Sequence, residues 1–285
     1  MSALTDTAPA KINLTLRVLG RRADGYHLLE SLVVFASVAD RLTLAPDTAS
    51  SIETSGPFAA ACGPPDANLV LKALRCLGER VEGLKAGRFT LDKNLPVAAG
   101  IGGGSSDAAA ALRLLARLNG VAPDDPRLAE AARATGADVP VCLDPRTRIM
   151  RGIGEILSEP LALPLMPAVL VNPGVPLATR DVFAALKERR AGGPPLGALP
   201  QGKEAVLDFL QLHGNDLTPP AIACAPVIAN VLSALGALPG ARLARMSGSG
   251  PTCLALFQSA GAATAAAQQV AQAHKDWWVR AGTLG

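Results

Sequence analysis

A run of small residues at positions 96–106, with the sequence PVAAGIGGGSS, contains the residue types that bind phosphate. Four of the five residues 100–104 are glycine, and two serines follow at the start of a predicted helix. Such a loop exposes backbone N–H groups, and the positive end of the helix dipole adds to their attraction for anions. The alternative is a flexible strand-to-helix turn, which does not require so many glycines. The run matches neither the Rossmann nor the Walker A pattern, so we favour phosphate binding of another kind.

Lys11 and Asp138 are a lysine and a carboxylate of the kind that phosphoryl transfer to an alcohol needs. The carboxylate can accept the hydroxyl proton, while the ammonium orients it and offsets negative charge. On composition alone, however, an aspartate between Gly136 and Pro140 is more typical of a turn or a helix cap. Lys11 and Asn13 lie on the polar side of an alternating strand, where solvated side chains are common.

Two further segments have both a functional and an ordinary explanation. The segment DGYH at residues 24–27 contains the single tyrosine and one of the three histidines of the chain. Its rings could bind a planar ligand or lie on the surface without a ligand, and the residue types favour neither alternative. The segment MSGSG at residues 246–250 is either a plain hairpin turn or a second glycine-rich phosphate contact.

The elements that would position these residues mix without regular βαβ alternation, which predicts an α+β fold. Strand patterns, including an apolar run, occupy residues 11–18, 28–38, 41–44, 52–54, 88–92, 168–171, 242–246 and 253–257. Helices are predicted over residues 69–77, 105–118, 126–135, 227–235 and 260–275, and another begins near residue 179. The glycine loop therefore joins a strand to a helix, and Asp138 falls in the loop after a helix. Residues 191–202 are rich in Gly and Pro and predict a mobile surface connection.

The bulk composition excludes several classes of protein. Hydrophobic residues make up 49% and charged residues 18% of the 285 residues, as in globular proteins. A net charge of +3 without a basic block favours neither a nucleic-acid nor a membrane-surface partner. No segment reads as a secretory signal or a membrane span. The five cysteines are odd in number and form no C-x-x-C pair, which favours a reducing cytoplasm; they are Cys62, Cys76, Cys142, Cys224 and Cys253.

Three segments in order resemble the signature motifs of the GHMP kinases: PAKINL at residues 9–14, the glycine loop, and SGSG at residues 247–250. RADGYH at residues 22–27, GADVP at 136–140 and GIGE at 152–155 are similar to one branch of that superfamily. This branch phosphorylates cytidine diphosphate methylerythritol in the non-mevalonate isoprenoid pathway. The resemblance spans most of the chain, and the combination of motifs is highly specific.

The resemblance implies a two-domain architecture. Residues 1–158 would form an N-terminal domain of the ribosomal-protein S5 domain 2-like type. Residues 159–285 would form a C-terminal α+β, ferredoxin-like domain, with the active site in the cleft between the two. Prolines at positions 160, 164 and 167 agree with this boundary. The resemblance also implies Mg²⁺-dependent transfer of the ATP γ-phosphate to the 2-hydroxyl of the methylerythritol, by a monomer or a homodimer.

The resemblance also assigns roles to single residues. Asp138 would be the catalytic base and Lys11 its partner. Tyr26 would stack on the cytosine, His27 would hydrogen-bond its edge, and Asn13 would contact the substrate.

A second wall of the substrate site would come from Thr179 and Phe183. Asp107 would either cap its helix or bind Mg²⁺, and no other metal ligand is implied. The residues implied to bind ATP are Asn68, Lys93, Pro96, Val97, Ala98, Ala99, Gly100, Ile101, Gly102, Gly103, Gly104, Ser105, Ser106, Gly248, Ser249 and Gly250.

Two rival functions stay open. Another GHMP kinase, such as homoserine kinase, would share the phosphate loop, but a nucleobase-binding pair like Tyr26 and His27 has little use with an amino-acid substrate. A catalytically inactive binding protein of the same fold would be expected to lack Lys11 and Asp138, and both are present.

Overall fold

The computed structural model describes residues 2–186 and 196–285, which form a mixed α+β fold, as predicted. They divide into two compact units, each assembled from several chain segments. Unit 1 comprises residues 2–10, 39–97 and 102–145, and unit 2 comprises the described residues of 11–38, 98–101 and 146–285. The predicted domain boundary between residues 158 and 159 stays a prediction.

The elements follow one another along the chain as β1 (Leu4–Asn13), β2 (Arg17–Arg21), β3 (His27–Pro46), β4 (Ser51–Ser55), α1 (Leu69–Gly78), β5 (Gly87–Asp92), α2 (Gly103–Asn119), α3 (Pro126–Thr135), α4 (Val139–Leu143), β6 (Arg148–Gly152), β7 (Ile156–Leu157), β8 (Met166–Asn172), α5 (Thr179–Ala184), α6 (Lys203–Leu212), α7 (Thr218–Cys224), α8 (Val227–Gly236), β9 (Leu243–Met246), β10 (Cys253–Leu256), α9 (Ala260–Ala273) and β11 (Trp278–Leu284). None of the helices in the described part of the chain has the length and apolar character needed to cross a membrane.

Unit 1 combines four helices, among them the alanine-rich α2, with a small sheet. The last part of β3 pairs antiparallel with β5, which pairs parallel with β4. Helix α2 contacts α1, α3 and α4, and its residues 108–111, all alanine, are fully buried. Because alanine side chains are short, the neighbouring helices can approach α2 closely.

Local capping sets the helix starts of unit 1. The Asn68 side chain accepts a hydrogen bond from the Val70 N–H and begins α1. Asp125 accepts one from the Arg127 N–H and begins α3, with Pro126 in the first position. The hydrogen bonds from Arg127 lower the pKa of Asp125 to about 2. Both helices therefore begin where the sequence predicts.

Unit 2 contains the predicted ferredoxin-like arrangement. Strand β8, a helical stretch, β9, β10, α9 and β11 follow in order, and the antiparallel sheet has the strand order β11-β8-β10-β9. Val169 and Val171 of β8 pack with Ile228 and Val231 of α8 and Val270 of α9 in one buried cluster. Burial of such side chains contributes roughly 1.5–3 kcal/mol each.

The alternating segment at residues 11–18 differs from its prediction in two ways. The strand ends at Asn13, because the Thr15 hydroxyl accepts a hydrogen bond from the Leu32 N–H at 3.0 Å and draws the chain inward. The polar side is also buried, since Lys11 is 5% and Asn13 1% exposed. The interpretation of these residues as solvated side chains is therefore wrong.

Other predictions were incomplete. Two strand patterns were predicted on either side of Asp40, but strand β3 runs through this residue without interruption. The charge is accommodated because the backbone N–H groups of Asn94 and Leu95 donate to the Asp40 carboxylate. The prediction also omitted β6, β7, α6, α7 and β11, which are short or lack clear boundary residues. Within the predicted mobile connection, residues 191–195 lie outside the described residues, and residues 196–202 form no helix or strand.

Candidate active site

The backbone of the glycine loop alternates through the left-handed region. Ala98, Gly100 and Gly102 have φ angles of 52°, 72° and 60°. Glycine adopts this conformation readily, whereas Ala98 does so at an energetic cost. Helix α2 begins directly afterwards at Gly103, and the first N–H groups of a helix have no acceptor within the helix. The loop therefore leads to groups that can bind an anion.

Three consecutive carbonyl groups of the loop accept hydrogen bonds within unit 2. Ala99 accepts from the Thr252 N–H at 3.2 Å, and Ile101 accepts from the Lys11 N–H at 2.9 Å. Between them, the Gly100 carbonyl accepts from the Ser247 hydroxyl at 3.1 Å. The carbonyl side of residues 99–101 is thus anchored, which fixes the orientation of the peptide groups in the loop.

The loop and the turn after β9 approach so closely that both need glycine. A Cβ atom at Gly100 would lie 2.6 Å from the Gly250 carbonyl oxygen and 2.7 Å from that of Ser247. A Cβ atom at Gly248 would lie 2.7 Å from the Gly100 oxygen. These distances are far below van der Waals contact. The glycines of the two predicted phosphate segments therefore allow these segments to pack directly against each other.

Ser247 joins three motifs through one hydroxyl group. It accepts a hydrogen bond from the Asn13 N–H at 3.1 Å while it donates to the Gly100 carbonyl. The Asn13 side chain donates to the Ser31 hydroxyl at 2.7 Å. Within residues 2–186 and 196–285, the buried Oδ1 atom of Asn13 has no hydrogen-bond partner. A buried acceptor without a partner is costly, and a ligand donor would satisfy it.

The aromatic residues of the predicted substrate site partly come together in unit 2. The His27 and Phe183 rings stack with centroids 4.7 Å apart, whereas Tyr26 is 59% exposed. The predicted site has the base between Tyr26 and Phe183, whereas here His27, predicted to bind the edge of the base, covers one face of the Phe183 ring. Thr179 lies near the SGSG turn, with its hydroxyl 2.9 Å from that of Ser249.

Unit 1 holds a buried group of three charges beside the glycine loop. The Lys93 ammonium donates to Asp40 at 2.6 Å and to Asp107 at 2.5 Å. Burial acts to lower the pKa of Lys93, but the charges of Asp107 and Asp40 outweigh it and raise the pKa. Burial raises the pKa of Asp107 to about 7, against the opposing charge of Lys93. One ammonium therefore holds two carboxyl groups.

Comparisons with known proteins agree with this arrangement. Residues 68–144 match the model of the GHMP kinases N-terminal domain, and residues 203–276 match that of the GHMP kinases C-terminal region. A 4-diphosphocytidyl-2-C-methyl-D-erythritol kinase from Rhodopseudomonas palustris is 59% identical and covers 100% of this chain and 96% of its own length. The chain belongs to the 4-diphosphocytidyl-2-C-methyl-D-erythritol kinase family of GHMP kinases.

Solved structures place this family member in the same fold. A crystal structure of 4-(cytidine 5'-diphospho)-2C-methyl-D-erythritol kinase matches with a TM-score of 0.80 and 37% identity over 99% of both chains. A homoserine kinase from Cytophaga hutchinsonii matches with a TM-score of 0.67 and 20% identity, over 99% of this chain and 95% of its own. The second likeness shows the fold alone. The predicted GHMP kinase fold is confirmed.

The predicted site residues of this family member divide between the two units. Unit 2 contains Lys11, Asn13, Tyr26, His27, Thr179, Phe183, residues 98–101 and residues 248–250. Unit 1 contains Asn68, Lys93, Pro96, Val97, residues 102–106 and Asp138. Each role stays a prediction.

Several side chains predicted to contact ATP have other partners. The Ser106 hydroxyl donates to the Pro9 carbonyl at 2.7 Å and is buried, while Ser105 is half-buried. The Asn68 side chain caps α1. The Lys93 ammonium is committed to Asp40 and Asp107. Of the two serines, Ser105 is therefore the better placed for a ligand.

Asp138 lies in the turn between α3 and α4, as predicted, and occupies the N-cap position of α4, a short helix that the prediction omitted. Its side chain makes no capping hydrogen bond with that helix, which lies wholly within the described residues. The helix-cap alternative is therefore wrong, whereas the turn alternative agrees with the structure, because residues 137 and 138 form a turn.

Sequence reasoning missed the roles of Ser247 and Asp40. Ser247 belongs to the third motif, but the glycines of that motif indicated backbone contacts and gave no role to the Ser247 hydroxyl group. Asp40 lies 53 positions from Lys93 in the chain, and only tertiary structure brings them together.

The described residues offer no ready-made metal cage. Residues 2–186 and 196–285 contain no group of three or more His, Cys, Asp or Glu side chains that could hold a metal ion. Asp107, the one metal ligand considered from the sequence, is tied to Lys93. It also does not cap α2 from the N-cap position, which Gly102 occupies.

Proposed function

We propose that this protein is an ATP-dependent kinase that phosphorylates the 2-hydroxyl group of 4-diphosphocytidyl-2-C-methyl-D-erythritol. The observation that carries the proposal is the full-length similarity, at 59% identity, to a kinase named for that substrate. The anchored glycine loop supports it, because the start of α2 offers N–H groups suited to a nucleotide phosphate.

Positioning and charge compensation would do most of the catalysis. Asp138 would accept the proton of the 2-hydroxyl group while the hydroxyl oxygen forms a bond to the γ-phosphorus. The bond between that phosphorus and the bridging oxygen breaks, and ADP leaves with the electron pair. Lys11 would orient the carboxylate and offset the charge on the transferring group. No covalent enzyme intermediate is needed.

Magnesium would enter with ATP rather than occupy a preformed protein site. Mg²⁺ usually keeps several waters and is held by phosphate oxygens and one or two protein ligands. The absence of a carboxylate cluster among the described residues is compatible with that mode. Of the loop serines, Ser105 would be the available side-chain ligand, and the ion would neutralise the developing charge.

The assay that tests the proposal compares two acceptors. Purified protein is incubated with Mg-ATP and either the cytidylated methylerythritol or homoserine, and ADP release is followed. We expect turnover with the first acceptor and none above background with the second. Turnover with homoserine alone would reject the substrate, and turnover with neither would favour an inactive binding protein.

Replacing Tyr26 with alanine should weaken binding of the acceptor. Base stacking on an aromatic ring contributes about 1–3 kcal/mol, which corresponds to a KM increase of roughly 5- to 150-fold. Tyr26 is 59% exposed, so its loss should not affect stability. Tyr26→Phe is the matched control, because it keeps the ring and should keep KM within about twofold. An unchanged KM in Tyr26→Ala would reject the stacking role.

A further inference from the structure

Asp40, Lys93 and Asp107 form a buried charged group that stability alone does not explain. Their side chains are 0%, 3% and 4% exposed. Taking charges out of water costs several kcal/mol per ion, and a buried ion pair is often no more stable than an apolar replacement. Such a group can instead fix the geometry of the backbone segments to which it bonds.

The three residues connect the two ends of the glycine loop. Asp40 accepts hydrogen bonds from the N–H groups of Asn94 and Leu95, at 2.6 and 2.8 Å, directly before the loop begins at residue 96. Asp107 follows the loop, in the first turns of α2. Lys93 bonds to both carboxylates. The chain that enters the loop is thus tied to the chain that leaves it.

Lys93 is itself held firmly. Its backbone N–H donates to the Ser55 carbonyl at 2.8 Å, and its carbonyl accepts from the Phe58 N–H at 3.2 Å. The ammonium lies 3.2 Å from the position of a Cβ atom at Gly103, the first residue of α2. It therefore packs directly beneath the helix start, where its side chain is almost fully buried.

Asp107 has fewer hydrogen bonds than Asp40 in this group. Its Oδ1 atom is buried and has no hydrogen-bond partner among residues 2–186 and 196–285, so Lys93 is its contact through Oδ2. Asp40, by contrast, keeps two backbone donors. A change at Asp107 can thus break one link while the Lys93–Asp40 pair stays neutral and hydrogen-bonded.

We propose that Asp40, Lys93 and Asp107 act as a positioning clamp that holds both ends of the phosphate loop, and that the Lys93 ammonium does not itself contact ATP. The inference rests on the proposed binding of ATP by this loop. Lys93 would influence nucleotide affinity through Asp107 and the start of α2, and the cost of burying the charges would be offset by a preorganised loop.

The test uses two replacements of Asp107 that both remove its charge. Asp107→Leu removes the acceptor for Lys93, whereas Asp107→Asn keeps an acceptor oxygen of nearly the same shape. Two readouts are taken: binding of a non-hydrolysable ATP analogue in the presence of Mg²⁺, and hydrogen exchange of the amides of residues 96–106.

We expect Asp107→Leu to raise the analogue Kd by about tenfold or more and to speed loop exchange by a similar factor, with Tm near that of the unaltered protein. Asp107→Asn should stay within about threefold on both readouts. A Kd unchanged in Asp107→Leu would overturn the clamp and favour direct binding of ATP by Lys93. A large fall in Tm with an unchanged Kd would indicate a purely structural role and would also overturn it.

A double-mutant cycle adds an independent check. If Lys93 acts through Asp107, Lys93→Met combined with Asp107→Leu should raise Kd no more than the worse single variant. Multiplied effects would contradict the proposal. Lys72→Met is a matched control, because Lys72 is a half-buried lysine of unit 1 and its ammonium donates to the Thr135 carbonyl. Its Kd should not change.

The exchange measurement separates this inference from the proposed function. Failure of the unaltered protein to bind the analogue would reject ATP binding by the loop. Unaltered exchange in Asp107→Leu would reject the clamp even if the analogue binds well.

Discussion

Asp138→Asn should lower kcat by about 10²- to 10⁴-fold, the usual contribution of a general base. Asparagine has nearly the same shape but cannot take up the hydroxyl proton at the same step. KM for ATP should stay within about threefold, because the glycine loop is unchanged. Tm should stay close to that of the unaltered protein, because the replacement keeps the size and shape of the side chain. Steady-state kinetics and thermal unfolding measure these quantities.

Asp125→Asn is the matched control for this prediction. Asp125 also precedes a proline near the start of a helix, but its side chain does cap that helix. Asparagine is an equally good N-cap, so kcat and folding should both be retained. Near-normal turnover in Asp138→Asn would show that another group takes the proton.

Features decided by neighbours in the chain could be predicted from the sequence. Asp125 and Pro126 set the start of α3 through contacts within a few residues. The glycine loop likewise precedes a helix as expected, because the small residues and the helix-forming run after them are neighbours in the chain. The ferredoxin-like order of the C-terminal strands came from the family resemblance rather than from the periodicity of residues.

Features decided by distant neighbours could not be predicted. The alternation at residues 11–18 indicated a strand with a solvated face, but Lys11 and Asn13 are buried. Periodicity shows which residues share a face, and it cannot show that a second layer covers the polar one. The family resemblance placed Lys93 near ATP, and that role stays a prediction. Its contact with Asp40, 53 positions away in the chain, is invisible to local patterns.

The two faces of the loop have different tasks. The carbonyl groups of residues 99–101 accept donors from Lys11, Ser247 and Thr252, all within unit 2. The N–H groups at the start of α2 have no acceptors within the helix. A loop held by its carbonyls can present its N–H groups to an anion with little reorganisation. Phosphate affinity should therefore depend on these backbone anchors as well as on the groups that contact the phosphate.

Gly100→Ala is the most direct test of this dependence, and it should raise KM for ATP at least about tenfold and lower Tm. The new Cβ would lie 2.6 Å from the Gly250 carbonyl oxygen and 2.7 Å from its nitrogen, and both atoms belong to the backbone. Overpacking of this kind typically costs 1–3 kcal/mol, and the φ angle of 72° adds roughly 1–2 kcal/mol.

Gly120→Ala separates the collision from the backbone strain. Gly120 has a similar φ angle of 66°, yet a Cβ there would meet no atom within 4 Å. This variant should lose about 1 kcal/mol of unfolding free energy and keep its KM for ATP. The excess loss in Gly100→Ala then measures the close approach of the loop to the SGSG turn. Equal effects of the two variants would mean that the turn yields to the added methyl group, and the loop would not owe its shape to that contact.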